Sequence, residues 1–120
     1  MNKIFFFFFL GVLLFSCDNN KGEFIIINES DFNIESLNIM PDSKKQFINL
    51  KKGETKEHFI FMDEVKTDGS YYMSYINSES KKAVLKPFGY YTNGYQIENA
   101  IHIRILNDTI LVDGEFNKPY

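Results

Sequence analysis

Short runs of β-branched and aromatic residues, separated by turn residues, fill the chain from Glu23 onward. This pattern is typical of β-strands, and no segment in this part of the chain has helical periodicity. The run Phe24–Ile27 is continuously apolar, which predicts a strand in the middle of a sheet. The predicted strands are Glu23–Asn28, Phe32–Met40, Gln46–Leu50, Thr55–Met62, Ser70–Asn77, Lys82–Phe88, Tyr95–Leu106 and Thr109–Asp113.

Several strands carry further local signals. The apolar parity of the second strand switches between Ile34 and Leu37, which predicts a β-bulge there. Gly53 lies in a polar connection that suits a positive φ. Either Pro87 or Gly89 is expected to end the sixth strand, because both residues weaken a regular strand.

The cleanest alternation in the chain lies between Tyr95 and Leu106. Ile101, Ile103 and Ile105 are expected to point inward, and His102 and Arg104 outward. Asn107-Asp108 follows as a two-residue hairpin turn, because both residue types tolerate left-handed conformations. The last strand is then expected to return antiparallel.

Eight short strands in about 100 residues predict an all-β domain, a small antiparallel β-sandwich of immunoglobulin-like or transthyretin-like type. A small closed β-barrel is the alternative. Apolar and aromatic side chains are numerous enough to fill two inner faces, at about 1.5–3 kcal/mol for each large side chain buried.

The segment Phe88–Tyr95 holds four aromatic residues and two glycines. Adjacent residues of an extended chain point to opposite faces, so Tyr90 and Tyr91 are expected to do so. Exposed tyrosines provide apolar area and a hydroxyl group at low entropic cost, which makes Tyr90, Tyr91 and Tyr95 candidate binding residues. The alternative is a hairpin that packs its own tyrosines onto the sandwich.

The N-terminus carries an apolar run, Ile4–Phe15, after the positive charge of Lys3. As a helix, this run would span about 18 Å, which is too short for a bilayer core of about 30 Å. Its length and flanks are typical of the apolar region of a signal peptide.

The run ends in Leu14-Phe15-Ser16-Cys17, which resembles the lipobox of bacterial lipoproteins. The resemblance implies cleavage before Cys17 and lipidation of its thiol. It divides the chain into a signal peptide (1–16), a lipidated cysteine with a short tether (17–22) and the domain (23–120). The composition is similar to that of small lipoproteins of the Bacteroidota, which implies attachment to a membrane of the cell envelope, with the outer membrane favoured over the inner.

Charge and cysteine content agree with an exported protein held by lipid. Cys17 is the only cysteine, so a disulfide within the chain is impossible. Without Lys3, 12 of the 13 Lys and Arg residues remain against 16 Asp and Glu. This acidic balance argues against a nucleic-acid partner, because nucleic acids select basic surfaces.

The chain lacks the motifs of common catalytic and metal sites. His58 and His102 are its only histidines, and no Gly-x-Ser-x-Gly motif is present. The close carboxylate pairs, such as Asp63-Glu64, lie at predicted strand ends, where solvated loops explain them. We therefore expect no enzyme activity, no metal and no cofactor.

Asp108-Thr109-Ile110 resembles the short O-glycosylation motif of exported Bacteroidota proteins. Thr109 is accordingly a candidate glycosylation site at the predicted hairpin.

Two functional hypotheses follow. The first is a membrane-anchored, non-catalytic lipoprotein that acts as a binding or structural module and contacts an envelope protein. The second is an immunity or inhibitor protein that neutralises a periplasmic toxin or hydrolase, since an acidic surface complements a basic enzyme.

Overall fold

The computed structural model describes residues 20–116, and this part of the chain folds as nine β-strands. Cys17 and the predicted signal peptide (1–16) lie outside the described residues. The strands are β1 (Lys21–Asn28), β2 (Ile34–Met40), β3 (Ile48–Leu50), β4 (Thr55–Phe61), β5 (Gly69–Asn77), β6 (Ala83–Thr92), β7 (Tyr95–Gln96), β8 (Ala100–Ile105) and β9 (Ile110–Glu115).

Two sheets form the domain, which confirms the predicted all-β sandwich. The four-stranded sheet has the order β4-β1-β8-β9, and the five-stranded sheet has the order β3-β2-β5-β6-β7. The apolar strand β1 is central, as predicted, and lies antiparallel to β4 and parallel to β8. The remaining strand pairs are antiparallel.

The core lies between the sheets, because alternate residues of the strands point inward. An aromatic cluster joins the two layers: the ring centroids of Phe24 and Tyr71 are 5.2 Å apart, edge to face, and those of Tyr71 and Phe88 are 5.5 Å apart, stacked. The other fully buried apolar residues are aliphatic side chains and methionines, namely Ile26, Ile34, Leu37, Ile39, Leu50, Ile60, Met62, Met73, Ile101, Ile103 and Ile105.

The predicted bulge in the second strand is confirmed. The pairing of β2 with β3 shifts register between Ile34 and Leu37, and Ser36 adopts a φ of 53°. The Ser36 amide donates a hydrogen bond of 2.9 Å to the Asn49 side chain. Both Ile34 and Leu37 are thereby buried although they are three positions apart.

Two predicted strand boundaries are wrong. β6 continues through Pro87 and Gly89 to Thr92. Its pairing with β7 involves Tyr91 and Thr92, so Pro87 lies on an open edge, where a strand tolerates proline.

The predicted strand Tyr95–Leu106 is instead two strands. β7 belongs to the five-stranded sheet and β8 to the four-stranded sheet, so the chain changes sheets between Gln96 and Ala100. The predicted alternation holds within β8, where Ile101, Ile103 and Ile105 are buried.

The first strand begins earlier than predicted. β1 starts at Lys21, two residues before Glu23, and Asn20 already takes part in the hydrogen bonding of the fold. The eight residues of β1 span about 26 Å at about 3.3 Å per residue. We call the end of the sandwich that carries Asn20 the proximal end, and the end that carries the β8–β9 turn the distal end.

Candidate functional site

A tight hairpin at the proximal end presents the predicted tyrosines. Asn93 and Gly94 connect β6 to β7 with φ values of 53° and 78°, the left-handed pair that an Asn-Gly turn adopts. The turn packs against the loop before β5. The Gly94 amide donates a hydrogen bond of 3.0 Å to the Thr67 carbonyl. A Cβ on Gly94 would lie 2.1 Å from the Val65 carbonyl oxygen, so this approach requires glycine.

A β-bulge at Gly89 decides which tyrosines are exposed. Tyr71 pairs with Phe88, whereas Gly69 pairs with Tyr91, so β6 contains one residue more than β5 over this stretch. Gly89 accommodates the extra residue with a φ of 63°. Phe88 and Tyr91 consequently both point into the core, although they are three positions apart.

The three predicted binding residues therefore have different environments. Tyr91 is 9% exposed and packs in the core, where its ring centroid lies 5.2 Å from that of Tyr71. Tyr90 is 50% exposed and Tyr95 is 63% exposed. The structure thus brings Tyr90 and Tyr95 together as surface residues near one turn. Tyr91 packs in the core beneath that turn.

Asp68 holds the exposed side of this hairpin in place. One carboxylate oxygen accepts a hydrogen bond of 3.0 Å from the Tyr90 hydroxyl, and the other accepts one of 2.8 Å from the Asn93 amide. The hydrogen bond to Asp68 raises the pKa of the Tyr90 hydroxyl above its usual value, since it stabilises the protonated form. The same hydrogen bond holds the Tyr90 side chain in a defined orientation.

Asn20 ties the first described residue to the same hairpin. Its backbone amide donates a hydrogen bond of 2.7 Å to the Asp63 carboxylate, and its side-chain amide donates to the Gly94 carbonyl. Its own carbonyl accepts a hydrogen bond of 2.8 Å from the Met62 amide. The candidate lipidation residue Cys17 lies outside the described residues, three positions before this point of attachment.

A side chain also joins the two sheets behind the hairpin. Gln96 accepts a hydrogen bond of 2.7 Å from the Glu23 amide and donates one of 3.0 Å to the Glu23 carbonyl. The amide group of Gln96 therefore pairs with β1 as a backbone peptide unit would. Together with Asn20, this contact attaches β7 to the four-stranded sheet.

The outer face of the five-stranded sheet carries an apolar patch that the sequence analysis did not identify as a site. Leu85 is 68% exposed, Tyr72 is 49% exposed and Ile76 is 36% exposed. Tyr72 pairs with Met40 on one side and with Pro87 on the other. We call Met40, Tyr72, Ile76, Leu85 and Pro87 together the apolar face. The sequence does contain an indication of this patch in Ser70–Asn77, because apolar residues occupy the outward as well as the buried side of that strand.

The distal end carries Thr109, the candidate glycosylation residue. Asn107 and Asp108 form the predicted two-residue turn, which the Leu106 amide closes with a 2.9 Å hydrogen bond to the Thr109 carbonyl. Thr109 is exposed. A modification there would therefore lie at the opposite end of β8 from the hairpin of Tyr90 and Tyr95.

Asp42 is buried with hydrogen-bond partners, whereas the Nε2 atom of buried His58 has none among the described residues. Burial alone would raise the pKa of Asp42, but the amides of Gln46, Phe61 and Lys44 donate to its carboxylate and hold that pKa below its usual value. Burial lowers the pKa of His58, and the negative charge of Asp42 opposes this shift only in part. His58 is therefore a neutral core residue at pH 7.

Among residues 20–116, no group of three or more His, Cys, Asp or Glu side chains is placed to hold a metal ion. The same part of the chain contains no apolar helix of membrane-spanning length. Family models, curated proteins and solved structures were all compared with this chain, and none of them matches it.

Proposed function

We propose that this protein is a lipid-anchored, non-catalytic binding module of the bacterial cell envelope, which uses its apolar face to contact a protein partner. The support for the anchor is the lipobox-like segment Leu14–Cys17 together with the position of Asn20. The outer membrane is the favoured location, as the similarity to Bacteroidota lipoproteins implies.

The exposed apolar face carries the binding part of the proposal. The outer side of a sandwich sheet is normally polar, because it faces water. Here Tyr72 and Leu85 are largely exposed, and Ile76 extends the patch along β5. Protein interfaces are depleted of charged residues at their centre and enriched in tyrosine and methionine, as this face is.

The chemistry of the face defines the partner. Its polar positions, Ser74 and Asn38, are joined to each other by a hydrogen bond from the Ser74 hydroxyl to the Asn38 side-chain oxygen. The ion pair between Lys81 and Glu35, 3.7 Å long, lies at its distal margin. We infer a partner protein that offers an uncharged, apolar surface and stands beside the module in the envelope.

In-cell photocrosslinking tests this proposal. A photoreactive amino acid replaces Leu85 in the full-length, lipidated chain, and a matched control replaces Glu57, which is exposed on the other sheet. Position 85 is expected to give a discrete crosslinked protein, and position 57 is not. The crosslink should be lost when Tyr72→Asp places a charge in the face, while the thermal unfolding of the domain is retained.

The anchor is tested separately by mass spectrometry of the N-terminus and by membrane fractionation of the Cys17→Ala variant. An unprocessed N-terminus, or a free thiol at Cys17, contradicts the anchor. A crosslink that persists in Tyr72→Asp, or the absence of one at position 85, contradicts the apolar face. A toxin or hydrolase as the crosslinked partner would identify the module as an inhibitor, the alternative from the sequence.

A further inference from the structure

The attachment of Asn20 fixes where the membrane lies relative to the domain. Two residues lie between Cys17 and Asn20, and the three Cα-to-Cα steps that join them reach at most about 11 Å when fully extended. Asn20 is hydrogen-bonded to Asp63, Met62 and Gly94, so the reach is measured from a fixed point of the proximal end. A lipid on Cys17 therefore brings the proximal end to the headgroup layer. This inference rests on the proposed anchor.

Amphipathic aromatic residues are exposed at this end. Tyr95, 63% exposed, directly follows Gly94, to which Asn20 is bound. Tyr90, 50% exposed, lies on the neighbouring strand of the same hairpin, and Ile97, 55% exposed, follows β7. Tyrosine is enriched at the membrane–water interface, where the ring meets the acyl boundary and the hydroxyl stays hydrated.

The charges at the proximal end indicate which lipid surface fits. Asp63, Glu64, Asp68 and Lys66 are all exposed close to the hairpin. Lys21, Lys44 and Lys45 also lie at this end, as do Glu98 and Glu115, so positive and negative side chains nearly balance. Electrostatic attraction to anionic lipids therefore does not hold this end. The contact is expected to form on zwitterionic phospholipid and to be insensitive to salt.

We propose that Tyr90 and Tyr95 seat the proximal end in the headgroup region of the membrane that carries the lipid anchor. The anchor determines that the domain is attached, and the two tyrosines determine how it is oriented. The hairpin then faces the lipid, β1 rises away from the surface, and Thr109 lies about 26 Å farther out along the strands. The apolar face stands to the side, where a neighbouring envelope protein reaches it.

A single tryptophan tests the orientation, because the chain contains none. The full-length lipidated protein carrying Tyr95→Trp is reconstituted in phosphatidylcholine vesicles with brominated acyl chains, which quench nearby indoles. The matched control is Thr109→Trp at the distal end. Bound to vesicles, Tyr95→Trp is expected to lose at least about half of its fluorescence and to shift to shorter wavelength, while Thr109→Trp is unchanged.

Tyr90→Trp is a second probe on the neighbouring strand and covers the case in which Tyr95→Trp does not fold. Vesicle-bound protein whose Tyr95→Trp and Tyr90→Trp fluorescence equals that of Thr109→Trp overturns the proposed orientation while leaving the anchor intact. Wild-type protein that does not float with vesicles overturns the anchor and this inference with it. Quenching that disappears at 1 M salt contradicts the proposed contact with the lipid interface.

Discussion

The side-chain amide of Asn20 donates a hydrogen bond to the carbonyl of Gly94, which lies 74 residues later in the chain. Asn20 precedes β1 of one sheet, whereas Gly94 belongs to the turn before β7 of the other. This contact closes the proximal end of the sandwich. It also places the exposed tyrosine hairpin directly beside Asn20, three positions after Cys17.

Gly94→Ala is expected to lower the free energy of unfolding by at least about 2 kcal/mol. A left-handed conformation costs an alanine about 1–2 kcal/mol. In addition, the new Cβ would approach the Val65 carbonyl oxygen to 2.1 Å, which displaces the turn from the loop before β5. Urea denaturation of the domain measures the loss.

Gly53→Ala is the matched control for crowding. Gly53 also has a positive φ, 82°, but an added Cβ there meets nothing within 4 Å. Its cost should be limited to the backbone term of about 1 kcal/mol. Equal losses in the two variants would show that the contact with Val65 does not matter.

Asp42→Ala is expected to destabilise the domain by about 2–4 kcal/mol. The buried carboxylate accepts hydrogen bonds of 3.1 Å from the amides of Lys44, Gln46 and Phe61, and alanine leaves these donors without an acceptor. Asp63→Ala serves as the control, since Asp63 also accepts from a backbone amide but is exposed. Water can replace that acceptor, so its loss should stay below about 1 kcal/mol. A similar cost for both would contradict the role assigned to burial.

The pH dependence of stability is expected to report His58. Burial lowers its pKa in the folded state below the usual value of about 6.5, so the unfolded chain binds a proton more readily. The stability contributed by neutral His58 is fully present above pH 6.5 and is lost as the pH falls toward the folded pKa. Denaturation midpoints at pH 7.5 and pH 5.5 should therefore differ less in His58→Gln than in the wild type.

His102→Gln is the control for this experiment, because His102 is the other histidine and lies on the outer face of β8. Its side chain is paired with Glu115 at 2.8 Å near the surface. This variant should retain the drop in stability between pH 7.5 and pH 5.5. If His102→Gln abolishes the drop and His58→Gln does not, the assignment to His58 is wrong.

Tyr71→Phe is expected to leave stability unchanged or to raise it by up to about 1 kcal/mol. The Tyr71 hydroxyl is buried and has no hydrogen-bond partner among the described residues, so its removal relieves a desolvated polar group. Burial also raises the pKa of Tyr71 far above its usual range, with the charges of Glu98 and Tyr91 adding to the shift. Chemical denaturation of the variant measures the change.

The comparison for Tyr71 is Tyr90→Phe, which removes the hydroxyl that donates to Asp68 at the surface. That variant should lose up to about 1 kcal/mol, since it breaks a hydrogen bond to a charged group. A loss of more than about 1 kcal/mol in Tyr71→Phe would indicate that its hydroxyl does have a partner.

Local signals predicted much of the fold. The bulge in β2, the positive φ of Gly53, the turn at Asn107-Asp108 and the inward side of β8 follow from residue type and from alternation over a few positions. The two wrong boundaries, at Pro87 and between Tyr95 and Leu106, have a common cause. Whether a strand continues depends on its neighbours in the sheet, and strand pairing is not encoded locally.

The candidate site was predicted only in part for the same reason. The aromatic segment Phe88–Tyr95 attracts notice in the sequence, but the bulge at Gly89 decides that Tyr90 is exposed while Tyr91 is buried. The apolar face was missed because it combines Tyr72 of β5 with Leu85 and Pro87 of β6 and Met40 of β2. The outward apolar residues of Ser70–Asn77 are visible in the sequence, but only the strand pairing shows that residues of β2 and β6 extend them into a patch.

The sequence by itself determined the class of the domain and the inward face of its strands, because the side chains of a strand alternate with a period of two residues whatever the strand pairs with. The resemblance of Leu14–Cys17 to a lipobox is likewise a property of consecutive residues. Only the tertiary structure decided that Asn20 contacts Gly94, that β1 runs parallel to β8, and that the exposed tyrosines share one end of the sandwich with Asn20. These relationships depend on which strands pair with each other, and the packing of the whole core selects that pairing.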